Sequence, residues 1–192
     1  MAEIKSALEI ALEKAERIGK ASPREMQELQ WQEEARRLAA EFLREEIDLE
    51  AELKKFPPEA QTALAGQIRE IMLRNIVLPR EGIVEETVSR ALTGMVKIAR
   101  DKKAAQRILQ EIDRIFKSFL QVRQNAMDQL KAQFNVQLDS VKKALEAQMH
   151  RQLKIDVEQT PQFQEQWRGF ADQLIQQFEP LLEKHKNMLA TL

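Results

Sequence analysis

Two histidines, His150 and His185, are the chain's only imidazole groups, and their surroundings bear on whether it could hold a metal ion. Glu146 lies four residues before His150, so a helix would bring both to one face, where they could support a weak metal contact. Di-iron helical bundles instead use Glu-x-x-His with further glutamates, and this spacing does not occur here. His185 falls on the apolar side of the last predicted helix, as expected of a partly buried structural histidine. We therefore expect no metal and no cofactor.

A catalytic nucleophile has no recognisable setting in this sequence. There is no cysteine, which excludes disulfides and thiolate metal sites and fits a reducing compartment. Walker, G-x-G-x-x-G and G-x-S-x-G motifs do not occur. Each serine is explained by a helix cap or a helix surface, and none adjoins a histidine in sequence: Ser6, Ser22, Ser89, Ser118 and Ser140. The sequence therefore predicts a protein that is not an enzyme.

Five basic residues cluster near a predicted helix junction and form a candidate interaction surface. They are Lys97, Arg100, Lys102, Lys103 and Arg107. Such a cluster can neutralise phosphates, but the sequence pI of 6.2 is far below that of strongly basic nucleic-acid-binding domains. No aromatic residue is interleaved for base stacking. We expect a solvated helix junction, with an acidic protein partner as the first alternative and nucleic acid as the second.

Aromatic residues on the last predicted helix form the other candidate interaction surface. Phe163, Trp167, Phe170 and Phe178 share one face, which Leu174 and Leu181 extend. An aromatic stripe at helical spacing is more often part of a core than a recognition surface. We therefore favour a core, and keep a docking face for a partner protein as the alternative.

The elements that carry these residues are helices, because 66 consecutive residues between Gly94 and Pro161 contain neither glycine nor proline. Charged residues make up 32% of the chain, and Gly and Pro are few, as in coiled coils. The prediction is an all-α, elongated helical bundle or coiled coil with one long helix at about 104–159. At 100–103 the pattern allows either a brief loop capped by Asp101 or an unbroken helix.

Prolines and glycines divide the rest of the chain. An N-terminal helical region, 1–82, is predicted to hold helices at about 2–18, 23–55 and 58–77, with Pro23 at a helix start. The long helix and a C-terminal helix that starts at Thr160-Pro161 fill 83–192, and Pro180 is expected to kink or restart that last helix. The two regions are predicted to form one structural domain.

Charge differs between the two halves and suggests association. Residues 1–56 hold 10 basic and 14 acidic side chains, and residues 83–159 hold 14 basic and 10 acidic. Opposite fields of this kind favour packing within one chain or pairing between chains. Apolar surface left over on the long helix would also favour pairing, so we expect a homodimer or another homo-oligomer. No run of 18 apolar residues occurs, and the acidic N-terminus is unlike a signal peptide, so we expect no membrane span and a cytoplasmic protein.

Four segments together resemble a bacterial family of helical proteins of unknown function. They are MAEIKSALEIALEKAERIG, Asn75-Ile76-Val77-Leu78-Pro79, Asp101-Lys102-Lys103 and Thr160-Pro161-Gln162-Phe163. The similarity would cover most of the chain, and it implies a bacterial cytoplasmic origin but no activity. The sequence as a whole predicts a non-enzymatic scaffold or adaptor that holds an unknown partner protein or a second copy of itself. A stalk-like or chaperone-like subunit of a larger assembly is the alternative, and nucleic-acid binding through Lys97–Arg107 is less favoured.

Overall fold

The computed structural model describes residues 23–80, 84–149 and 156–192, and within them it is 85% helical and has no strand. Six α-helices and one 3-10 turn follow in order: α1 (Pro23–Leu43), α2 (Leu49–Leu53), α3 (Pro58–Asn75), α4 (Glu86–Ile98), α5 (Lys102–Met149), the 3-10 turn (Val157–Gln159) and α6 (Pro161–Ala190). The predicted all-α fold with one long helix is confirmed. The helix predicted at 2–18 lies outside the described residues, as does His150.

The chain divides into two compact units, residues 1–71 and 72–192, and the division falls within α3. In the first unit, α1 and α2 pack together. Its buried apolar side chains repeat at helical spacing along all three helices: Ala35, Leu38, Ala39, Phe42, Leu49, Leu53, Ala60, Leu64 and Ile68. Burial of these side chains supplies the main driving force for the unit to fold.

The helix predicted at 23–55 is interrupted between Leu43 and Leu49. At this break the Glu45 amide donates to the Phe42 carbonyl and the Glu46 amide donates to the Glu41 carbonyl, each at 3.0 Å. This pair of bonds is the Schellman arrangement, which needs a left-handed residue, and Glu45 adopts φ 63° there. No glycine lies between Leu43 and Leu49, so the sequence pattern predicted one continuous helix there. Asp48 then begins α2 by accepting a bond from the Glu50 amide at 3.2 Å.

In the second unit, α5 packs against α4 and, over a longer stretch, against α6. Two edge-to-face ring pairs fix the antiparallel register of α5 and α6. Phe119 meets Phe178 and Phe134 meets Phe163, each pair with ring centroids 5.4 Å apart. The buried apolar side chains of α4, α5 and α6 are Val88, Ala91, Met95, Ile98, Ala105, Ile108, Ile112, Phe116, Phe119, Phe134, Phe163, Leu174, Leu182 and Leu189.

A short loop joins α4 and α5, which confirms the first of the two alternatives for residues 100–103. Asp101 caps α5, since its Oδ1 accepts a bond from the Ala104 amide at 2.9 Å. The Arg100 amide donates to the Leu192 carbonyl at 3.2 Å, so the loop also binds the end of the chain.

The long helix differs from its predicted range at both ends. It begins at Lys102, two residues earlier than predicted, and the described helix ends at Met149. Val157–Gln159, which the prediction included in the helix, form a separate 3-10 turn because Asp156 is extended and caps that turn through the Glu158 amide. The apolar pattern of α5 also allows more than one stripe, and the structure buries Phe116 while Val122 is 39% exposed.

The last helix, α6, starts at Pro161 as predicted and continues past Pro180 without a break. Thr160 is its N-cap residue, but its hydroxyl donates to the Val157 carbonyl at 2.8 Å and does not cap the helix. Leu182 is buried, and Leu181, which the predicted stripe included, is 48% exposed. No helix in the described part of the chain is both long enough and apolar enough to span a membrane.

Candidate functional site

A groove of about 720 Å³ lies in the second unit, lined by residues of α5, the 3-10 turn, α6 and the segment that follows α3. We call it the arginine groove. Its apolar lining is Pro79, Phe119, Met127, Phe163, Trp167, Ala171, Leu174 and Ile175, and its polar lining is Arg80, Arg123, Glu158, Gln164, Arg168 and Asp172. The volume is within the range of about 300–1,000 Å³ that is usual for ligand sites.

The helical repeat explains why these residues line the groove. Phe119, Arg123 and Met127 recur every fourth residue on α5, so they share the face that α6 packs against. Trp167 and Leu174 are two turns apart on α6 and face them. At the deep end, Phe163 packs with Phe134 and Val157 in a small buried cluster. A packed core thus holds the groove's aromatic residues in place.

Three guanidinium groups and two carboxylates line the same groove. The Arg123 guanidinium lies 5.1 Å from the centroid of the Trp167 ring, a cation–π distance. Glu158 is already engaged, since it accepts a bond from Lys131 Nζ at 2.7 Å, and this bond raises the Lys131 pKa. The structure gives Arg80 and Arg168 no ion pair with any other described residue, and both side chains are exposed. Positive charge is therefore in excess in the groove.

The four predicted aromatic residues divide between core and groove. Phe163 is 2% exposed, and Trp167, Phe170 and Phe178 are half-buried. The Phe170 ring stacks on Trp167 with centroids 5.8 Å apart, and Phe178 packs edge to face on Phe119. Of these four aromatic residues, only Phe163 and Trp167 line the groove. Arg123 was not among the residues predicted from the sequence. Its position, as a basic residue within the apolar stripe of α5, is the feature that could have indicated it.

The predicted basic cluster lies away from the groove, at the junction of α4 and α5. Lys97 is half-buried on α4, whereas Arg100, Lys102, Lys103 and Arg107 are exposed. Lys102 and Lys103 occupy the first turn of α5, where the helix dipole disfavours positive charge. None of these five side chains lines the arginine groove.

A third surface of interest is the side of α5 that points away from α6, which we call the outer face. At about 100° per residue its eight positions fall within about 60° of one direction. They are all exposed and all uncharged: Ser118, Gln121, Val122, Asn125, Gln129, Ala132, Gln133 and Val136. Val136 is 75% exposed. Charged residues in the same direction flank this stretch, among them Arg107, Glu111 and Arg114 before it and Asp139 after it.

The described residues offer little for metal or acid–base chemistry. Among them no group of three or more His, Asp or Glu side chains could hold a metal ion. His185 is half-buried, and its Nδ1 donates to the Leu181 carbonyl oxygen at 2.8 Å. None of the three surfaces described above contains a histidine.

Comparison with curated proteins and with solved structures gives no match. A family model does match, over residues 50–191, and its description is "Family of unknown function (DUF6657)". The match runs from α2 to the end of α6 and so includes the arginine groove and the outer face. It leaves out the N-terminal segment that contributed to the resemblance, and a bacterial origin stays a prediction from the sequence. The chain belongs to the family of unknown function DUF6657, whose model spans three quarters of its length.

Proposed function

We propose that this protein is a non-enzymatic helical scaffold of the cytoplasm that pairs with a second copy of itself and holds a partner protein. The observation that carries the proposal is the outer face of α5. The chain is 32% charged, so a face of eight positions would ordinarily hold about two or three charges. The outer face holds none, and loss of charge is the compositional mark of the centre of an interface.

The order of residues on the outer face suits pairing with an identical helix. In a two-fold symmetric contact, if one residue of the first copy contacts a second residue of the other copy, the same two positions also contact each other with the copies exchanged. If two antiparallel α5 helices cross at Gln129, then Val122 of each copy meets Val136 of the other, since both lie seven residues from Gln129. The two exposed valines would then be covered together. Gln129 would meet its own counterpart across the axis.

A cross-linking experiment tests this arrangement, because the chain has no cysteine of its own. We expect Gln129→Cys to give a covalent dimer with a short bis-maleimide. The control is Gln106→Cys, an exposed position on the same helix but off the outer face. In the proposed pairing, the two Cys side chains of this control would lie about 70 Å apart, beyond the reach of the reagent.

Light scattering provides the second test. The wild-type chain should have the mass of a dimer at tens of micromolar. Val136→Glu together with Gln129→Glu should convert it to a monomer, because like charges would meet at position 129 and the charge at position 136 would be buried against Val122. A wild-type chain that is only monomeric at that concentration would contradict self-association. It would favour the alternative of a stalk-like or chaperone-like subunit that needs its partner to assemble.

A further inference from the structure

The arginine groove combines features of a protein-recognition site. Tryptophan and arginine are the residues most enriched at binding hot spots, and here Arg123 lies over the Trp167 ring. Both side chains border a groove whose other walls include Phe119, Met127 and Ile175. The groove is too small for a second helix to lie along it, but it has room for a few residues of a peptide.

The charges of the groove restrict the ligand to an acidic one. Arg80, Arg123 and Arg168 face one carboxylate that has no cation bound to it in the described structure, Asp172, because Glu158 is paired with Lys131. A guanidinium offers a fork of donors that fits a carboxylate at two points. The groove therefore favours a ligand that brings carboxylates to its rim and apolar side chains to its floor.

We infer that the arginine groove binds a short acidic segment of a partner protein, whose apolar side chain packs on Trp167 and whose carboxylates bind Arg123 and Arg168. This inference rests on the proposed scaffold function, because it names the kind of segment that the scaffold holds. A peptide fits better than a phosphate compound. The Asp172 carboxylate repels a multiply charged phosphate, whereas the backbone N–H groups of a peptide can donate to it.

Binding can be measured by fluorescence. The chain has two tryptophans, so Trp31→Phe leaves Trp167 as the only one and makes the groove its own reporter. The probe is a synthetic peptide of five residues, blocked at both ends, in which glutamate alternates with leucine. The matched control peptide has glutamine in place of each glutamate. We expect a saturable change in Trp167 emission with the acidic peptide, and at least tenfold weaker binding of the control peptide.

Substitutions identify the residues involved. Arg123→Gln and Arg168→Gln should each weaken binding of the acidic peptide at least tenfold, and Arg123→Lys should weaken it less, because it keeps the charge but loses the fork. Arg107→Gln removes the same charge from α5 outside the groove and should leave affinity within about twofold. Circular dichroism shows whether each variant is folded. If one of the groove variants is not folded, Arg80→Gln is measured in its place.

Three results would overturn the inference. One is no saturable signal up to about 1 mM peptide, the weak limit of measurable recognition. The second is equal binding of the glutamine peptide. The third is full displacement of the acidic peptide by inorganic phosphate at equal ionic strength, which would make the groove a small-anion site.

The proposed dimer and the proposed peptide binding in the arginine groove can be tested independently of each other. The Gln129→Glu, Val136→Glu variant should still bind the acidic peptide, and Arg168→Gln should still have the mass of a dimer. Loss of peptide binding in the first variant would instead place the peptide in the dimer interface and contradict the groove assignment.

Discussion

Phe119 and Phe178 meet edge to face with ring centroids 5.4 Å apart and ring planes at 77°, and a second pair repeats this geometry farther along the same two helices. Phe134 and Phe163 form that second pair, at 5.4 Å and 80°. Fifteen residues separate the two pairs on each helix, so α5 and α6 keep one antiparallel register over about 22 Å. The arginine groove lies between these contacts and depends on that register.

A double-mutant cycle should detect the contact between Phe119 and Phe178. We expect Phe119→Leu and Phe178→Leu to be coupled by about 0.5–1.5 kcal/mol, the usual contribution of an edge-to-face pair beyond area burial. Urea denaturation followed by Trp167 fluorescence, in the Trp31→Phe background, measures each variant. A coupling energy near zero would mean that the rings only fill space.

Phe163→Ala should destabilise the second unit by about 3–5 kcal/mol, because it opens a cavity beside Phe134 and Val157. Phe170 is half-buried and stacks on one side of Trp167, so Phe170→Ala should cost about 1–2 kcal/mol. Gln166→Ala, at an exposed position on the same helix, is the control. Thermal melts rank the three variants, and unchanged melting of Phe163→Ala would refute the core assignment.

Glu45→Gly should stabilise the first unit. Glu45 occupies the left-handed region at φ 63°, where a side chain costs about 1 kcal/mol relative to glycine. The added flexibility of the unfolded chain offsets part of this gain, so we expect about 0.5 kcal/mol or more. Denaturation followed by Trp31 fluorescence, in a Trp167→Phe background, reports on this unit. Glu46→Gly, one residue later, should destabilise and serves as the comparison.

The pair between Lys131 and Glu158 should make stability depend on alkaline pH. The hydrogen bond that Lys131 donates to Glu158 raises the Lys131 pKa above its ordinary value of 10.5. The stabilisation is therefore fully present below pH 10.5 and is lost as pH rises through the raised pKa. Above pH 10.5 the wild type should lose stability more steeply than Lys131→Met. Lys117→Met, which removes an exposed lysine from the same helix, gives the reference slope.

Helix starts were the most predictable part of the fold. Pro23, Pro58 and Pro161 each begin a helix, because proline has its backbone already set for the first turn and has no amide to satisfy there. A cap at Asp101 was one of the two alternatives for residues 100–103, and its carboxylate does accept a bond from the Ala104 amide. The break after Leu43 could not be foreseen, because Glu45 takes a conformation that sequence normally assigns to glycine.

Register and the groove required tertiary structure. On α5, Ile115 and Phe116 both fit a helical stripe, and only packing against other helices decides that Phe116 is buried. Arg80, Arg123 and Arg168 are more than 40 residues apart, so no local pattern brings them together. The glutamines of the outer face are visible in the sequence, but the lack of charge on that side becomes evident only when the inner side of the helix is known.

Pro180 leaves a gap in the backbone hydrogen bonds of α6, although the helix is continuous in space. Proline has no amide hydrogen, so the backbone hydrogen bond to the Gln176 carbonyl is absent. Phe178, which packs on Phe119, lies just before this gap, and the buried Leu182 lies just after it. Hydrogen exchange should then show two protection levels along α6, and opening of the C-terminal segment should release the Leu192 carbonyl from the Arg100 amide without disturbing the groove.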